Sequence, residues 1–260
     1  MFLITKYTEE PTTTLWSPFH IVYMILTIIA VVVSLILIKK YVKSENTIKW
    51  ILRGVGIALF IIIILNRIDV LRYKVNIGHE TNMVFGEEVP YSWIMIILPF
   101  TPCALSSTLI PFTTFLKKDH WFTHSIYIIA LIGGAIGIFY PSFLNDQYLY
   151  EIRTWGSLAH HVLSMWIVIL MLMTGYIKPS MKKIHFLPIA LSFIVAMGLF
   201  ELQAMHYAES MGLAQKFAGL EWYVPILGYV LFDFVFVFLF EKFVYKKKIK
   251  EIFNFRNTNK

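Results

Sequence analysis

The few residues that could carry out chemistry in this chain lie mostly within apolar segments. Cys103 is the only cysteine, and a thiol becomes a nucleophile when a nearby base takes its proton. His160 and His161 are adjacent, and either imidazole could be that base. Because neighbouring residues on a helix point about 100° apart, only one of the two can face a given site well. These residues predict a catalytic set of Cys103, His160 and His161.

A second group of polar residues lies in the same apolar segments, mostly towards one end of each. Ionisable groups are costly inside a membrane, so each is a candidate functional residue. The predicted substrate-binding residues are His20, Asn66, Arg67, Asp69, Thr101, Glu201 and Gln203. Their position predicts a polar cavity open to the outside of the cell. The alternative is that several of them are interfacial residues or local ion pairs.

The third apolar segment contains two prolines close to the cysteine. Pro99 and Pro102 each remove a backbone hydrogen bond, so together they predict a kinked or opened helix. Such a break is tolerated inside a membrane only where protein or a water-filled cavity satisfies the freed carbonyl groups. Broken helices also mark binding sites in transporters. Cys103 with Ser106 and Ser107 could instead serve only helix packing.

Two later segments carry features that concern packing. The glycines at 133, 134 and 137 predict a close contact between helices. Asp233 lies in the middle of the last apolar segment, between phenylalanines. A carboxyl group at that depth needs a partner or must stay neutral.

The elements that position these residues are predicted to be membrane-spanning helices. The chain has 260 residues, of which 58% are hydrophobic and 15% charged, whereas a soluble domain is about 45–50% apolar and about 25% charged. Seven segments are long enough to cross a bilayer. They are Ser17–Ile38, Ile48–Leu65, Ser92–Phe115, Trp121–Tyr140, Trp155–Ile177, Ile184–His206 and Trp222–Phe240. We therefore predict an all-α bundle of seven transmembrane helices over residues 1–245 and a basic tail over residues 246–260.

The distribution of Lys and Arg predicts the orientation of this bundle. The first, third and fifth loops and the C-terminal end, counted together with the adjoining ends of the apolar segments, carry 17 of them, and the opposite side carries 6. The positive-inside rule then puts the C-terminus in the cytoplasm and the N-terminus outside. The first apolar segment is followed by lysines, which is typical of a true span and not of a cleavable signal. The expected location is the cell membrane, specifically the cytoplasmic membrane of a bacterium.

Several other classes of function are disfavoured by the sequence. The net charge of +7 does not indicate nucleic acid, because the basic residues lie in loops between apolar runs. There is no CxxC, HExxH, P-loop or GxGxxG motif, and we expect neither a cofactor nor a metal. The expected partners are membrane lipids, and the sequence does not indicate a protein partner.

Residues 98–103 read LPFTPC, and this stretch resembles the LP-x-H-x-C signature of the YwaF/TMEM164-like family of seven-span membrane proteins. The glycine-rich segment 121–141, His20 and the His160–His161 pair are similar to further elements of that family, in the same order. The resemblance implies lipid acyl transfer, with Cys103 as the acyl carrier. This chain departs from the signature at Thr101, which stands where the family has a histidine, and at Pro102.

Three functions therefore remain open at this point. The first is a membrane-embedded lipid acyltransferase, in which Cys103 takes the acyl group and His160 or His161 is the base. The second is a non-enzymatic transporter or small-molecule binding membrane subunit, which needs the outward-facing polar cavity but no reactive thiol. The third is a membrane assembly protein whose polar residues only hold helices together.

Overall fold

The computed structural model describes residues 16–76, 81–84, 87–90, 102–141, 152–205 and 223–245. Within these ranges the chain forms seven α-helices, one in each predicted segment. In chain order they are α1 (Pro18–Tyr41), α2 (Glu45–Asn76), α3 (Pro102–Thr113), α4 (Trp121–Phe139), α5 (Ile152–Met173), α6 (Phe186–Met205) and α7 (Tyr223–Leu239). The prediction of a helical bundle is confirmed.

Four stretches of these helices are long and apolar enough to cross a membrane. They are Pro18–Tyr41, Glu45–Asp69, Trp121–Phe139 and Thr154–Met173. The stretch Cys103–Thr113 in α3 is apolar but shorter. The described residues thus contain four candidate spans, and the number of seven spans remains a prediction.

The helix ends follow local sequence signals. The Ser17 side chain accepts a hydrogen bond from the backbone N–H of His20 at 3.4 Å and so caps α1, whose first residue is Pro18. Lys39 and Lys40 lie in the last turn of α1, where cations interact favourably with the helix dipole. Helix α3 begins at Pro102, where a missing N–H costs nothing. Pro99 and the residues just before Pro102 lie outside the described residues, so the break that the two prolines predict remains a prediction.

The structure also contains a short hairpin that the all-α prediction did not include. Strands β1 (Thr81–Val84) and β2 (Glu87–Pro90) pair antiparallel, with Thr81 opposite Pro90 and Val84 opposite Glu87. The residues of the two strands are too few and too polar to indicate strands by periodicity, which is why the sequence analysis missed them.

Helix α4 is the central helix of the bundle. It packs against α3, α5, α6 and α7. In the most apolar 18-residue stretch of the helix, 67% is buried for α4, compared with 22% for the corresponding stretch of α1. Small residues allow this position, because a Cβ built on Gly134 would lie only 2.7 Å from the backbone oxygen of His161. The outward face of α1 exposes aliphatic side chains such as Leu26 and Ile36, as a lipid-facing helix does.

The connections predicted to share one side of the membrane lie together at one end of the bundle. Lys118, after α3, forms an ion pair with Glu45 at the start of α2 at 2.9 Å. Asp119 forms an ion pair with Lys183, just before α6. The Glu241 carboxylate, after α7, accepts a hydrogen bond from the Met181 backbone N–H at 2.9 Å. We call this end the loop face; that it faces the cytoplasm remains a prediction.

Candidate functional site

A polar cleft lies towards the end of the bundle opposite the loop face. It is lined by residues of three helices: Ile63, Asn66 and Arg67 of α2, Ala104 and Ser107 of α3, and His160 of α5. The space between these side chains is small, enough for about one water molecule and not for an acyl chain. Three of the predicted site residues, Asn66, Arg67 and His160, are therefore brought together in one place.

His160 is oriented by its own helix. Its Nδ1 lies 3.1 Å from the carbonyl oxygen of Gly156, one turn earlier. Because a carbonyl oxygen can only accept, Nδ1 must carry the proton, and in the neutral ring Nε2 then has the lone pair. A base held in one tautomer by a hydrogen bond to its other nitrogen is the usual arrangement for proton transfer. His160 is thus suited to accept a proton in the cleft.

His161 does not share the cleft with His160. Its ring lies flat against α4, since a Cβ built on Gly137 would be 2.1 Å from the ring carbon Cγ. The imidazole also lies beside the backbone of Gly133. The two histidine ring centroids are 4.0 Å apart, but the rings serve different surfaces, as their separation of about 100° around the helix requires.

Cys103 lies on the first turn of α3 and packs against the same glycine. A Cβ built on Gly133 would be 3.0 Å from the Cys103 sulfur. The buried Tyr229 side chain of α7 lies beside this thiol. Cys103 and His161 therefore both adjoin Gly133, while the polar group beside the sulfur is a tyrosine that the sequence analysis did not single out.

Asn66 and three serines in or near the cleft form two small groups of hydrogen bonds, one of them incomplete. The Asn66 amide nitrogen donates to the Ser157 hydroxyl at 3.4 Å. The Asn66 carbonyl oxygen is buried and has no hydrogen-bond partner within the described part of the chain. The Ser164 hydroxyl lies 3.1 Å from the Ser107 oxygen and 2.6 Å from the His160 carbonyl oxygen. An acceptor left without a donor at a cleft favours a ligand that donates a hydrogen bond.

His20 lies away from the cleft and ties α1 to α4. It is fully buried. Its Nε2 is 2.9 Å from the carbonyl oxygen of Ile138, and its Nδ1 accepts from the Trp16 backbone N–H at 3.1 Å. Both ring nitrogens are thus used by backbone groups, which is the arrangement of a structural histidine.

The remaining predicted site residues are not brought to the cleft by the described structure. Asp69 is half-buried on α2 and does not line the cleft. Thr101 lies outside the described residues, and for Glu201 and Gln203 only the α6 backbone is described. That Glu201 and Gln203 contribute to an outward-facing polar cavity therefore remains a prediction.

Asp233 has a partner that the sequence analysis did not identify. Tyr127 of α4 donates a hydrogen bond to its carboxylate at 3.2 Å, and both side chains are 2% exposed. A tyrosine in an apolar helix usually only packs against its neighbours, so the position of Tyr127 in the sequence did not indicate this role. The distance of 106 residues between the two groups is closed only by the contact between α4 and α7.

A cluster at the loop face was also missed from the sequence. The Asp119 carboxylate is 2.7 Å from Nε2 of His124, pairs with the Lys183 ammonium and accepts from the Lys178 backbone N–H at 3.1 Å. Burial raises the pKa of Asp119, but the hydrogen bonds from Lys183 and His124 outweigh it and hold that pKa below its ordinary value. Within the described residues no set of three His, Cys, Asp or Glu side chains is arranged to hold a metal ion.

Apolar helices, four of which are long enough to cross a membrane, indicate a multi-pass membrane protein. The sequence profile of the TMEM164 family matches residues 15–212, which is most of the chain, so the chain belongs to this family. The matched region includes Cys103, His160 and the cleft, and ends before α7. The comparisons with curated proteins and with solved structures gave no match.

Proposed function

We propose that this chain is a membrane-embedded lipid acyltransferase in which Cys103 carries the acyl group. The observation that carries the proposal is the position of the thiol: Cys103 packs against Gly133 at the first turn of α3, and Ser107, one turn further along the same helix, lines the cleft with His160. A nearby base converts a thiol to the thiolate, which is the nucleophilic form. Membership of the TMEM164 family and the resemblance of residues 98–103 to the family signature support the same role.

The reaction has two half-reactions that share one acyl carbon. The Cys103 sulfur attacks the carbonyl carbon of a lipid ester, the ester C–O bond breaks and a thioester C–S bond forms. The thiol gives up one proton, and the departing lipid alkoxide takes up one proton to become an alcohol. The hydroxyl of an acceptor lipid then attacks the thioester carbon, the C–S bond breaks, and the sulfur is protonated again.

The cleft supplies the groups that handle the lipid oxygen. Ser107 lines the cleft one turn after Cys103 on the same helix, and residues four apart share a helix face. His160 offers Nε2 as the base for the acceptor hydroxyl. Arg67 lines the same cleft and suits the phosphate of a lipid head group. The acyl chain itself would lie along the apolar helix faces, since the cleft is too small to hold it.

The proposed arrangement in the membrane follows the sequence analysis. All seven predicted apolar segments cross the bilayer, the loop face is cytoplasmic and the polar cleft opens outward. The chain would then act on lipids of the outer leaflet of a bacterial cytoplasmic membrane. The excess of Lys and Arg in the connections at the loop face supports this orientation.

Thioester formation tests the proposal directly, because the chain has one cysteine. Purified protein in vesicles of phosphatidylcholine and phosphatidylglycerol with labelled acyl chains should acquire a label that hydroxylamine removes. Cys103→Ser should abolish the label, while Thr108→Val, one turn further along α3, should keep it. A wild-type protein without the label, or a Cys103→Ala protein with full activity in cells, would contradict acyl transfer.

A non-enzymatic binding or transport role is the second candidate, and Asn66 favours it. Its buried carbonyl oxygen lacks a donor among the described residues, which a small hydrogen-bond-donating ligand would supply. In that case Cys103→Ala keeps function in cells and Asn66→Leu loses it. Acyl transfer predicts the opposite result for Cys103→Ala.

A further inference from the structure

Arg53 of α2 is a cation that the described part of the chain leaves without an anionic partner. It lies within the candidate membrane span Glu45–Asp69. Its Nε atom is buried and has no hydrogen-bond partner among the described residues. None of the ion pairs formed by these residues includes Arg53. Because an unpaired buried donor is costly, an acceptor from outside the chain would stabilise this side chain.

Two aromatic rings hold the Arg53 guanidinium group in place. Its central carbon Cζ lies 5.4 Å from the centroid of the Trp50 ring and 5.7 Å from that of the Phe115 ring, which is within the range of a cation–π contact. Trp50 precedes Arg53 by nearly one turn, and Phe115 follows the end of α3 at Thr113. The side chain therefore points towards the loop face. The two rings are 64% and 50% exposed, so lipid can reach them.

The charges around Arg53 favour an anion. Lys49 lies one turn before Arg53 on the same face of α2. The ammonium groups of Lys49 and Lys118 share the Glu45 carboxylate, at 3.5 Å and 2.9 Å. Three cations therefore surround one carboxylate, and no second carboxylate of the described residues pairs with them. We call this group the Arg53 site: Lys49, Trp50, Arg53, Phe115 and Lys118.

We propose that the Arg53 site binds the phosphate of an anionic phospholipid in the membrane leaflet at the loop face. The planar guanidinium group presents several N–H donors, which suit phosphate oxygens. Arg53 lies eight residues after Glu45, the first residue of α2, or about 12 Å along the helix. A long side chain directed towards the helix end reaches the head groups from this depth. Inorganic phosphate has the same oxygens, but the exposed rings favour a ligand that also has an apolar part.

The Arg53 site is separate from the polar cleft. Ile63, which lines the cleft, lies ten residues after Arg53 on α2, or about 15 Å further along the helix. The bound lipid would therefore hold the ends of α2 and α3 at the interface, and would not be the substrate of the cleft. This role does not depend on acyl transfer. Binding can accordingly be measured in a Cys103→Ser protein, which has no thiol and forms no thioester.

Native mass spectrometry of the purified Cys103→Ser protein in detergent tests the site. Titrations with phosphatidylglycerol and with phosphatidylcholine give a Kd for each lipid, and phosphatidylglycerol should bind more tightly. Adding Arg53→Gln should weaken phosphatidylglycerol binding by about 10-fold to 100-fold, the size of a lost charge-assisted hydrogen bond. Adding Lys182→Gln removes the same charge from an exposed position at the loop face and should keep the preference.

A second variant keeps every charge and changes only the aromatic frame. Phe115→Leu removes one of the two rings that hold Arg53. The loss of a cation–π contact should weaken phosphatidylglycerol binding by about 2-fold to 5-fold and leave phosphatidylcholine binding unchanged. Unchanged phosphatidylglycerol binding in this variant would show that the rings do not hold the guanidinium group for a ligand, and would overturn the site.

The remaining outcomes separate the site from general charge and from the enzyme. Equal affinity for the two lipids would overturn the proposal, as would a loss in Lys182→Gln that equals the loss in Arg53→Gln. Displacement of phosphatidylglycerol by inorganic phosphate would assign the site to a free anion and not to a lipid. If wild-type protein acquires no thioester label but the lipid preference depends on Arg53, acyl transfer falls and the site stands. If labelling succeeds and the preference does not depend on Arg53, only the site falls.

Discussion

At the scale of single residues, Gly137 determines how closely α4 and α5 approach each other. The His161 ring occupies the space that a side chain at position 137 would need. Gly133 has the same relation to the Cys103 sulfur, at 3.0 Å. Cys103 and His161 are therefore positioned by close packing against the glycines of α4, and not by a polar contact with each other.

The Gly137→Ala variant should move the His161 ring and destabilise the protein. Overpacking in a filled interior typically costs about 1–3 kcal/mol, and the His161 ring already fills the space that the new methyl group would need. The midpoint of thermal unfolding in detergent measures the loss. The matched control is Gly54→Ala, since nothing lies within 4 Å of a Cβ at Gly54. That control should be neutral or gain up to about 1 kcal/mol from helix propensity. Equal midpoints for the two variants would contradict the close packing of His161.

His20 tests whether a predicted substrate residue is structural. Both ring nitrogens bond backbone groups, so His20→Leu should lose stability by about 1–3 kcal/mol, the cost of leaving buried polar groups unpaired. It should leave the thioester labelling of Cys103 intact once the protein is folded at low temperature. A variant with wild-type stability and no labelling would instead support a substrate-binding role for His20.

Short connections hold the helix ends together at the scale of elements. Asp119 adopts a left-handed backbone conformation with φ of 61°, which Asp tolerates better than most residues. Its backbone N–H donates to the Tyr176 carbonyl at 2.8 Å. The turn after α3 is therefore fixed to the turn after α5 by both the backbone and the side chain of one residue.

The Asp119 cluster should make stability depend on pH in the acid range. Its pKa lies below the ordinary value, so the unfolded chain binds a proton first as pH falls. The stabilisation is complete above the ordinary pKa of about 4 and is lost as pH falls through the lower pKa of the folded state. Asp119→Asn should have a lower unfolding midpoint at pH 6 and a flatter dependence between pH 6 and 3.

Glu45 provides the matched control for this cluster. Its ion pair with Lys118 at 2.9 Å is about half exposed, and exposed pairs contribute about 0–1 kcal/mol. Glu45→Gln should therefore change the midpoint little. A Glu45→Gln effect as large as that of Asp119→Asn would show that general charge, and not the buried cluster, sets the pH dependence.

Orientation belongs to the scale of the whole molecule. The 17 Lys and Arg on one side predict that the loop around Lys182 and the 246–248 lysines are cytoplasmic and that residues 145–153 are external. Single cysteines introduced into a Cys103→Ser background, labelled with an impermeant reagent on intact cells, measure this. The 145–153 loop should react and the tail should not. The reverse pattern would show that the bundle has the opposite orientation and that the cleft opens to the cytoplasm.

The sequence by itself determined the class, the order of the helices and which connections share an end. These follow from local composition, because a length of apolar chain needs lipid and its backbone must be satisfied within the helix. It also singled out Asn66, Arg67 and His160, since a polar residue in an apolar run is conspicuous.

Only the tertiary structure decided the contacts of those residues. It assigned His20 to a tether and His161 to the glycine face of α4. It brought Tyr229 to Cys103 and Tyr127 to Asp233, because those pairs are made between helices that are distant in the chain. A tyrosine or a histidine has the same periodicity whether it packs or reacts. What separates the two is the neighbouring helix, which side-chain spacing along one segment does not encode.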